Sequence, residues 1–237
     1  MYIDGLKVLV VDDDPNLLRF LQVNLEQRGY KVDLARDGVE ALEKVREGRP
    51  DLVILDLMMP RKDGWEVCRE IRKTSIVPII VLSARGDEEG KVEALYQGAD
   101  DYLTKPFGVR ELMARVQAVL TRSIPSAMAQ RVTDRDITLG PLHINGVEHT
   151  VEWRGKPVHL TPTEYSLLYE LASNAPRVLS HKELLAKVWG PDYEGATHYV
   201  HIYVGRLRAK LGEKAIVTKS GIGYRFAIRP DEDESDS

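Results

Sequence analysis

The sequence lacks most of the features that mark secreted, membrane-spanning or metal-caged proteins. Of its 237 residues only Cys68 is a cysteine, which excludes an internal disulfide or a zinc cage of cysteines and suits a reducing cytoplasm. The longest apolar runs, such as Leu52–Leu55 and Ile79–Leu82, are far shorter than the ~20 residues of a membrane span. The strand-like run Lys7–Val11 starts so soon after Met1 that we expect no signal peptide. The net charge of −4, taken alone, argues against a nucleic-acid partner.

The charge is spread unevenly along the chain, whose length suggests one large or two ordinary domains. Residues 1–122 hold 19 basic and 22 acidic residues, whereas residues 123–230 hold 14 basic and 10 acidic residues. The last seven residues hold five acids and no base. The total therefore combines an acidic first half, a basic second half and an acidic tail, and it does not exclude nucleic acid after all.

In the first half, short apolar runs alternate with segments of helical spacing. The runs are continuous rather than alternating, which is typical of strands that are covered on both faces. They are Leu6–Val11, Val32–Ala35, Leu52–Leu55, Ile79–Leu82 and Tyr102–Leu103. The pattern predicts an α/β doubly wound (βα)5 domain over residues 1–122, with its site beyond the carboxyl ends of the strands.

The second half has shorter elements and turn signals. Residues 123–135 bury little and are interpreted as a linker, and residues 230–237 as an acidic, disordered tail. Between them, residues 136–229 predict an α+β domain. Thr161 and Glu164 form a capping-box pattern at the start of its first helix. The predicted elements are helices near Pro162–Ser173, Ser180–Val188 and Ala196–Leu211, then a hairpin of Ile216–Lys219 and Tyr224–Ile228.

Polar side chains follow the predicted strands at their carboxyl ends, which a doubly wound fold gathers at one edge. Asp14, which precedes a proline, is interpreted as a helix cap. Because the remaining carboxylates repel one another, we expect a bound divalent cation, and oxygen ligands shared with a phosphoryl group favour Mg²⁺. The other residues of the set are Asp12, Asp13, Asp56, Ser83 and Lys105.

These residues lie in segments that resemble the receiver domain of two-component response regulators. The segments are Val10–Asp14, Ile54–Pro60, Asp63–Gly64, Ser83–Ala84 and Asp100–Phe107. The resemblance implies that Asp56 is the phosphoacceptor and that a sensor histidine kinase supplies the phosphoryl group. It also implies a cis peptide bond between Lys105 and Pro106.

The same resemblance implies a role for each residue around Asp56. Mg²⁺ would be held by Asp13, Asp56 and the Met58 carbonyl, with Asp12 acting through water. Lys105 would contact the phosphoryl group, and Ser83 and Tyr102 would form the switch pair. Ser83 would move toward the phosphoryl oxygens and vacate space for the Tyr102 ring, which shifts an existing equilibrium of two states.

A charged surface on the fourth helix, fifth strand and fifth helix suits a homodimer of the phosphorylated form. A solvated charged face is the plainer interpretation of such residues. In regulators of this architecture, however, matching residues cross a two-fold axis, where unlike charges set register. The implied pairs are Lys91 with Glu111, Asp101 with Arg115, and Asp100 with Arg122.

The last predicted helix has an apolar stripe and a basic, hydrogen-bonding front, which suits a DNA major groove. A three-helix bundle with a solvated basic face remains the alternative from this helix alone. The stripe is Val200, Val204, Leu207 and Leu211. The candidate DNA contacts are Thr197, His198, His201, Arg206, Arg208 and Lys210, with Lys219 and Arg225 on the hairpin.

The second half resembles the winged helix-turn-helix domain of OmpR/PhoB-type regulators. The segments that carry the resemblance are Leu160–Leu168, Val178–Ser180, Glu183–Leu185, Val188–Gly190, Arg206–Leu211 and Gly221–Phe226. It implies promoter DNA with direct-repeat half-sites, and the loop Trp189–Ala196 facing RNA polymerase. Many relatives carry other residues where this chain has His201 and Gly205, and Thr197–Arg208 is instead similar to regulators of potassium-uptake operons.

Two other function classes stay open at this point. A phosphatase or mutase would use Asp56 as its nucleophile, but such enzymes place a second Asp two residues on, where this chain has Met58. An orphan regulator would bind DNA without phosphorylation. We expect a phosphorylation-dependent transcription regulator, with no enzyme activity apart from self-catalysed phosphotransfer to Asp56 and its loss.

Overall fold

A computed structural model describes residues 5–59, 63–84, 88–123 and 135–228. The chain divides into two compact units, residues 1–123 and 124–237, which are treated separately. The acidic tail, and the predicted linker apart from its two end residues, lie outside the described residues. Within the described part of the chain, no helix is both long and apolar enough to cross a membrane.

The first unit is a parallel sheet with the strand order β2-β1-β3-β4-β5, and it confirms the predicted doubly wound fold. Three strands end one residue later than predicted, so Asp56, Ser83 and Thr104 are the last residues of their strands. The strands are β1 Lys7–Val11, β2 Lys31–Ala35, β3 Leu52–Asp56, β4 Ile79–Ser83 and β5 Asp101–Thr104. The helices are α1 Pro15–Glu26, α2 Gly38–Gly48, α3 Gly64–Thr74, α4 Glu88–Tyr96 and α5 Val109–Ser123.

The sequence explains why these elements form. All five residues of β3 and of β4 are buried, as expected for strands with helices on both faces. Asp14 is the N-cap of α1, as predicted, and its carboxylate accepts a 2.8 Å hydrogen bond from the Asn16 backbone N–H. Asp37 and Asp63 cap α2 and α3 in the same way.

The second unit has the winged-helix architecture. A four-stranded antiparallel sheet comes first, then the helices, then a hairpin that pairs with a short strand. The sheet strands are β6 Ile137–Leu139, β7 Leu142–Asn145, β8 Thr150–Trp153 and β9 Lys156–Pro157. The remaining elements are α6 Pro162–Ser173, β10 Leu179–Ser180, α7 His181–Leu184, α8 Thr197–Leu211, β11 Ile216–Lys219 and β12 Gly223–Phe226.

The middle helix differs from its prediction, because α7 changes after one turn into a π-helical turn at Leu185–Trp189. The predicted capping box at the start of α6 is confirmed. The Thr161 N–H donates to Glu164 Oε2 at 2.9 Å, and the Glu164 N–H donates to Thr161 Oγ1 at 3.4 Å. The apolar stripe predicted on α8 is buried at all four positions, so this face is core.

Candidate functional site

Three carboxylates meet at the carboxyl edge of the parallel sheet. Asp12 follows β1 and Asp56 ends β3, and both are buried, whereas Asp13 is exposed. One carboxylate oxygen from each lies within 4.8 Å of the others. The expectation that these residues converge is therefore met, and the strand ends bring them together as the topology requires.

Lys105 places its ammonium among these carboxylates. Its Nζ lies 2.8 Å from Asp12 Oδ2 and 3.1 Å from Asp56 Oδ1. Burial is the main cause that raises the pKa of Asp56 above its usual value, although Lys105 opposes it. Burial lowers the pKa of Lys105, but the two carboxylates outweigh that effect and raise it overall. Among the described residues, the site thus holds more negative than positive charge.

The donor set suits a hard divalent cation. Carboxylate oxygens are the ligands that Mg²⁺ prefers, and within the part of the chain that the structure describes the Lys105 ammonium alone does not balance three carboxylates. The Met58 backbone N–H bonds to Asp56, and the Met58 side chain is 59% exposed. Asp12, Asp13 and Asp56 could therefore hold a metal ion at the open edge of the sheet.

Gly64 is a positioning residue to which the sequence argument assigned no role. A Cβ at this position would lie 2.2 Å from the Asp56 carbonyl oxygen and 2.6 Å from Leu57 Cα. The Gly64 N–H also donates to the Leu57 carbonyl at 3.1 Å. Only glycine allows the start of α3 to approach the end of β3 this closely, and this approach shapes the loop beside Asp56. The Asp63–Gly64 motif itself was the available signal.

Ser83 and Tyr102, the predicted switch pair, lie on the neighbouring strands β4 and β5. Both side chains are buried, and only 4% of Tyr102 is exposed. A buried ring is the arrangement that the resemblance associates with the phosphorylated form. The movement of Ser83 and Tyr102 between two states stays a prediction. The peptide bond between Lys105 and Pro106 is cis, which confirms that expectation.

Several of the predicted dimer residues already have partners inside the chain. Asp100 is fully buried, and its Oδ2 lies 2.7 Å from Nη2 of Arg72 on α3. The same oxygen accepts the Ile79 backbone N–H at 2.9 Å. Asp101 is also fully buried, with Arg115 of the same chain 3.6 Å away. These pairs tie helices to the sheet edge, so any contact with a second copy has to compete with them.

The other residues of the predicted dimer surface differ in exposure. Arg122 is buried, Lys91 is half-buried and Glu111 is exposed. Glu111 is thus the most accessible member of the set, since Lys91 and Arg115 are both half-buried. The pairing of Lys91 with Glu111 across a two-fold axis stays a prediction.

The outward face of α8 carries few charges. Thr197, His201 and Gly205 are exposed and follow one another at four-residue spacing, so they form one stripe. His198 is half-buried beside the Tyr199 ring, with the ring centroids 4.8 Å apart. A major groove would meet a helix surface with hydroxyl, imidazole and bare backbone.

Arg206 and Lys210, by contrast, point away from this stripe toward α6. Lys210 Nζ lies 2.5 Å from Glu164 Oε2, and Arg206 Nη1 lies 4.0 Å from Glu164 Oε1. Glu164 is only 3% exposed, so these two cations compensate a buried carboxylate. This placement corrects the assumption that every polar residue of α8 lies on one front, because 100° per residue carries both side chains round the helix.

Arg208 lies between α8 and the hairpin that forms the wing. Its Nη2 donates to the Ile216 carbonyl at 2.6 Å and to Thr218 Oγ1 at 2.7 Å. The predicted wing contacts Lys219 and Arg225 are half-buried. Arg208 therefore fixes the wing against α8, and this structural role is separate from its predicted contact with DNA.

One cluster of aromatic side chains in this unit was not predicted from the sequence. His181 at the start of α7 and Tyr224 in the wing both lie beside His201. His181 and Tyr224 are separated by 43 positions, and no motif spacing links them. No sequence signal could have found this contact, because it depends on the antiparallel pairing of β10 with β12.

Comparisons with known proteins agree with this architecture. Residues 8–117 match the response regulator receiver domain, and residues 155–226 match the C-terminal domain of transcriptional regulatory proteins. The chain is 44% identical over 225 residues to the transcriptional regulatory protein KdpE of Mycobacterium tuberculosis, covering 92% of this chain and 98% of the relative. It is 41% identical over 230 residues to ResD of Bacillus subtilis, covering 94% and 96% respectively.

A solved structure of a cysteine-to-serine mutant of RitR is also similar, with 28% identity and a TM-score of 0.78. That comparison covers 94% of this chain and 99% of the other. Proteins with this pair of domains are transcription regulators rather than classical enzymes, and a cognate kinase and DNA are their implied partners. Because both domains and nearly the full length match, the chain belongs to the OmpR/PhoB family of response regulators.

Proposed function

We propose that Asp56 accepts a phosphoryl group from a sensor histidine kinase and that this modification promotes promoter binding. The observation that carries the proposal is the Lys105 ammonium, 2.8 Å from Asp12 and 3.1 Å from Asp56 in a buried acidic cluster. An Asp56 carboxylate oxygen attacks phosphorus, and the phosphorus–nitrogen bond of the kinase phosphohistidine breaks. The product is an acyl phosphate, which water later hydrolyses to aspartate and inorganic phosphate.

Each neighbour of Asp56 has a separate task in this step. Asp13, Asp56 and the Met58 carbonyl would hold Mg²⁺, with Asp12 acting through water. The ion supplies charge neutralisation between the carboxylate and the incoming phosphoryl group. Lys105 pairs with the phosphoryl oxygens as a point charge. The self-catalysed transfer of the phosphoryl group to Asp56 and its later loss would follow from this arrangement.

Phosphorylation then acts on the α4–β5–α5 surface. Ser83 bonds to the phosphoryl oxygens and Tyr102 occupies the space beside it, which favours the dimer-competent state. The Lys91–Glu111 pair contributes most to the register of a homodimer, because Glu111 is exposed. Asp100–Arg122 and Asp101–Arg115 contribute less, since both acids already have partners in the chain.

DNA binding falls to the second unit. The stripe of Thr197, His201 and Gly205 on α8 enters the major groove, and Lys219 and Arg225 bring the wing to the backbone or minor groove. Two copies read direct-repeat half-sites, and the loop at Trp189–Ala196 faces RNA polymerase. Control of a potassium-uptake operon and action in the cytoplasm remain predictions of the sequence.

Treatment with acetyl phosphate and Mg²⁺ tests the proposal against its alternatives. A regulator incorporates one phosphoryl group at Asp56, retains it, and binds its DNA site more tightly afterward. A phosphatase or mutase would instead turn over acetyl phosphate continuously, and an orphan regulator would bind DNA equally well with or without treatment. Asp56→Asn is the control, because it keeps the shape of the side chain and removes the nucleophile.

A further inference from the structure

The wing and the recognition helix α8 meet at a hydrogen bond between aromatic side chains. Nδ1 of His201 lies 2.7 Å from the hydroxyl oxygen of Tyr224. The His181 ring packs against both, with its centroid 4.9 Å from that of His201 and 5.5 Å from that of Tyr224. Three elements, α7, α8 and β12, therefore hold the His201 ring in one orientation.

The Tyr224 hydroxyl bears on which nitrogen of His201 carries the proton. Tyr224 is only 5% exposed, and a buried hydroxyl needs a hydrogen-bond partner. Among the described residues, the partner of this hydroxyl is Nδ1 of His201. When the hydroxyl donates, Nδ1 carries no proton and the ring proton of the neutral imidazole lies on Nε2.

The other edge of the ring is available to a ligand. His201 is exposed although Tyr224 is buried, and Nε2 has no hydrogen-bond partner within residues 135–228. One turn further along α8, Gly205 is exposed, and a Cβ there would meet nothing within 4 Å. Bare backbone at Gly205 lets the helix lie close to a surface, which a side chain as short as histidine needs to reach it.

The surroundings also favour the neutral form of the imidazole. Burial is the larger cause that lowers the pKa of His201 below its usual value, and the neighbouring His181 lowers it further. The other charged group at the cluster is the Arg208 guanidinium, 5.9 Å from the Tyr224 ring centroid. A neutral donor gains less from phosphate than a cation does, so it suits a base edge.

We propose that Tyr224 sets the His201 tautomer so that Nε2–H donates to N7 of a purine in the major groove. The inference rests on the proposed DNA-binding function and assigns one base contact within it. Purine N7 is an acceptor on that groove edge, and Tyr224 takes part only as a positioning residue.

The test begins with a site selected from random-sequence DNA by the phosphorylated full-length protein. Each purine of the selected site is then replaced singly by its 7-deaza analogue, which loses the N7 acceptor and little else. We expect one position in each half-site to weaken binding by about fivefold, the size of one net hydrogen bond. His201→Ala should lose about as much affinity on the unmodified site as replacement at both half-sites costs the unchanged protein, and it should become indifferent to that replacement.

Tyr224→Phe separates positioning from packing, because it removes only the hydroxyl. ¹⁵N NMR should show the Nε2–H tautomer of His201 in the unchanged protein and a mixture of tautomers in the variant. The variant should lose most of the 7-deaza effect. His201→Gln, whose amide can donate from a similar place, should restore part of the affinity and make it independent of the hydroxyl at position 224.

Three results would overturn this contact: an Nδ1–H tautomer, a 7-deaza effect that survives in His201→Ala, or no sensitive purine in a site that the protein does bind. Failure to select any DNA site would instead contradict the proposed function itself. The two failures are therefore distinguishable in one series of measurements.

Discussion

The acidic site of the receiver unit and the helix α8 of the second unit differ in whether their charged side chains are balanced by charges of the opposite sign. At the strand ends, three carboxylates lie around the ammonium of Lys105, and the charges of the described residues there do not balance. On α8, most of the cations have partners within the chain. Lys210 and Arg206 lie beside the Glu164 carboxylate, and Arg208 donates hydrogen bonds to the wing. Surplus charge of one sign costs stability, so where it persists it points to a ligand. Balanced charge points to structure.

The largest effect on activity is expected at the acidic site, from the removal of one carboxylate that does not contribute to the stability of the fold. Asp13 is exposed, so Asp13→Asn should leave the unfolding midpoint unchanged. Labelling by acetyl phosphate should fall at least about 100-fold, because a metal ligand is lost. Phosphoprotein gels as a function of Mg²⁺ concentration measure this. Asp14→Asn is the matched control, since asparagine caps a helix as well as aspartate does; equal labelling of the two variants would contradict the comparison.

Next in size is the loss of a balanced charge. Glu164→Gln keeps an acceptor for the capping box but leaves Lys210 and Arg206 without a carboxylate. We expect the free energy of unfolding to fall by about 2 kcal/mol, less than for a fully buried pair because Lys210 is partly exposed. Denaturant titration measures it. As a control, Glu194→Gln breaks the ion pair with Lys182, whose two side chains are 79% and 70% exposed. It should leave the free energy of unfolding unchanged. If both variants unfold alike, the charges at Glu164 are not structural.

A smaller effect is expected at the receiver surface, where Lys91 and Glu111 would meet a second copy. Lys91→Glu alone or Glu111→Lys alone should weaken the phosphorylated dimer by roughly tenfold, and the double exchange should restore it. Sedimentation velocity of acetyl-phosphate-treated protein gives the dissociation constants. The corresponding exchange at Glu70 and Lys73, an exposed pair on α3, serves as the control and should leave the dimer intact. A double exchange that fails to recover dimerisation would refute the pairing.

The smallest effect concerns the uncharged part of α8. Gly205→Ala should raise the free energy of unfolding by about 0.5–1 kcal/mol, because glycine is unfavourable within a helix and the added methyl meets nothing. DNA affinity should fall all the same, since the methyl would separate helix and groove. In the receiver, Gly64→Ala should instead lower the free energy of unfolding, because the added Cβ would overlap the Asp56 carbonyl oxygen. Unchanged DNA affinity in Gly205→Ala would show that α8 does not lie close to DNA at this point.

Much of the fold was predictable because local patterns and topology agreed. Continuous apolar runs marked the parallel strands, and their order along the chain required one edge to collect Asp12, Asp56 and Lys105. The capping box at Thr161 was predictable for the same reason, since its four residues interact within one turn. The change from α7 into a π-helical turn left no comparable signal.

The recognition surface was less predictable, because the direction of a side chain on a helix depends on what packs beside it. Arg206 and Arg208 are two residues apart, yet one faces α6 and the other faces the wing. Asp100 was expected at an interface between copies and is instead buried against Arg72. Composition and motif give a list of polar residues, and burial divides that list into structural and accessible members.

By itself, the sequence determined the two domains, the five-stranded parallel sheet, the acidic site and the helix with a buried apolar stripe. These features follow from short-range periodicity and from the rule that parallel strands share their carboxyl edge. Only the tertiary structure decided that Glu164 takes up two cations of α8 and that Tyr224 and His181 hold His201. Those contacts join elements far apart in the chain, and their geometry depends on how helices and wing pack, which local sequence patterns do not reveal.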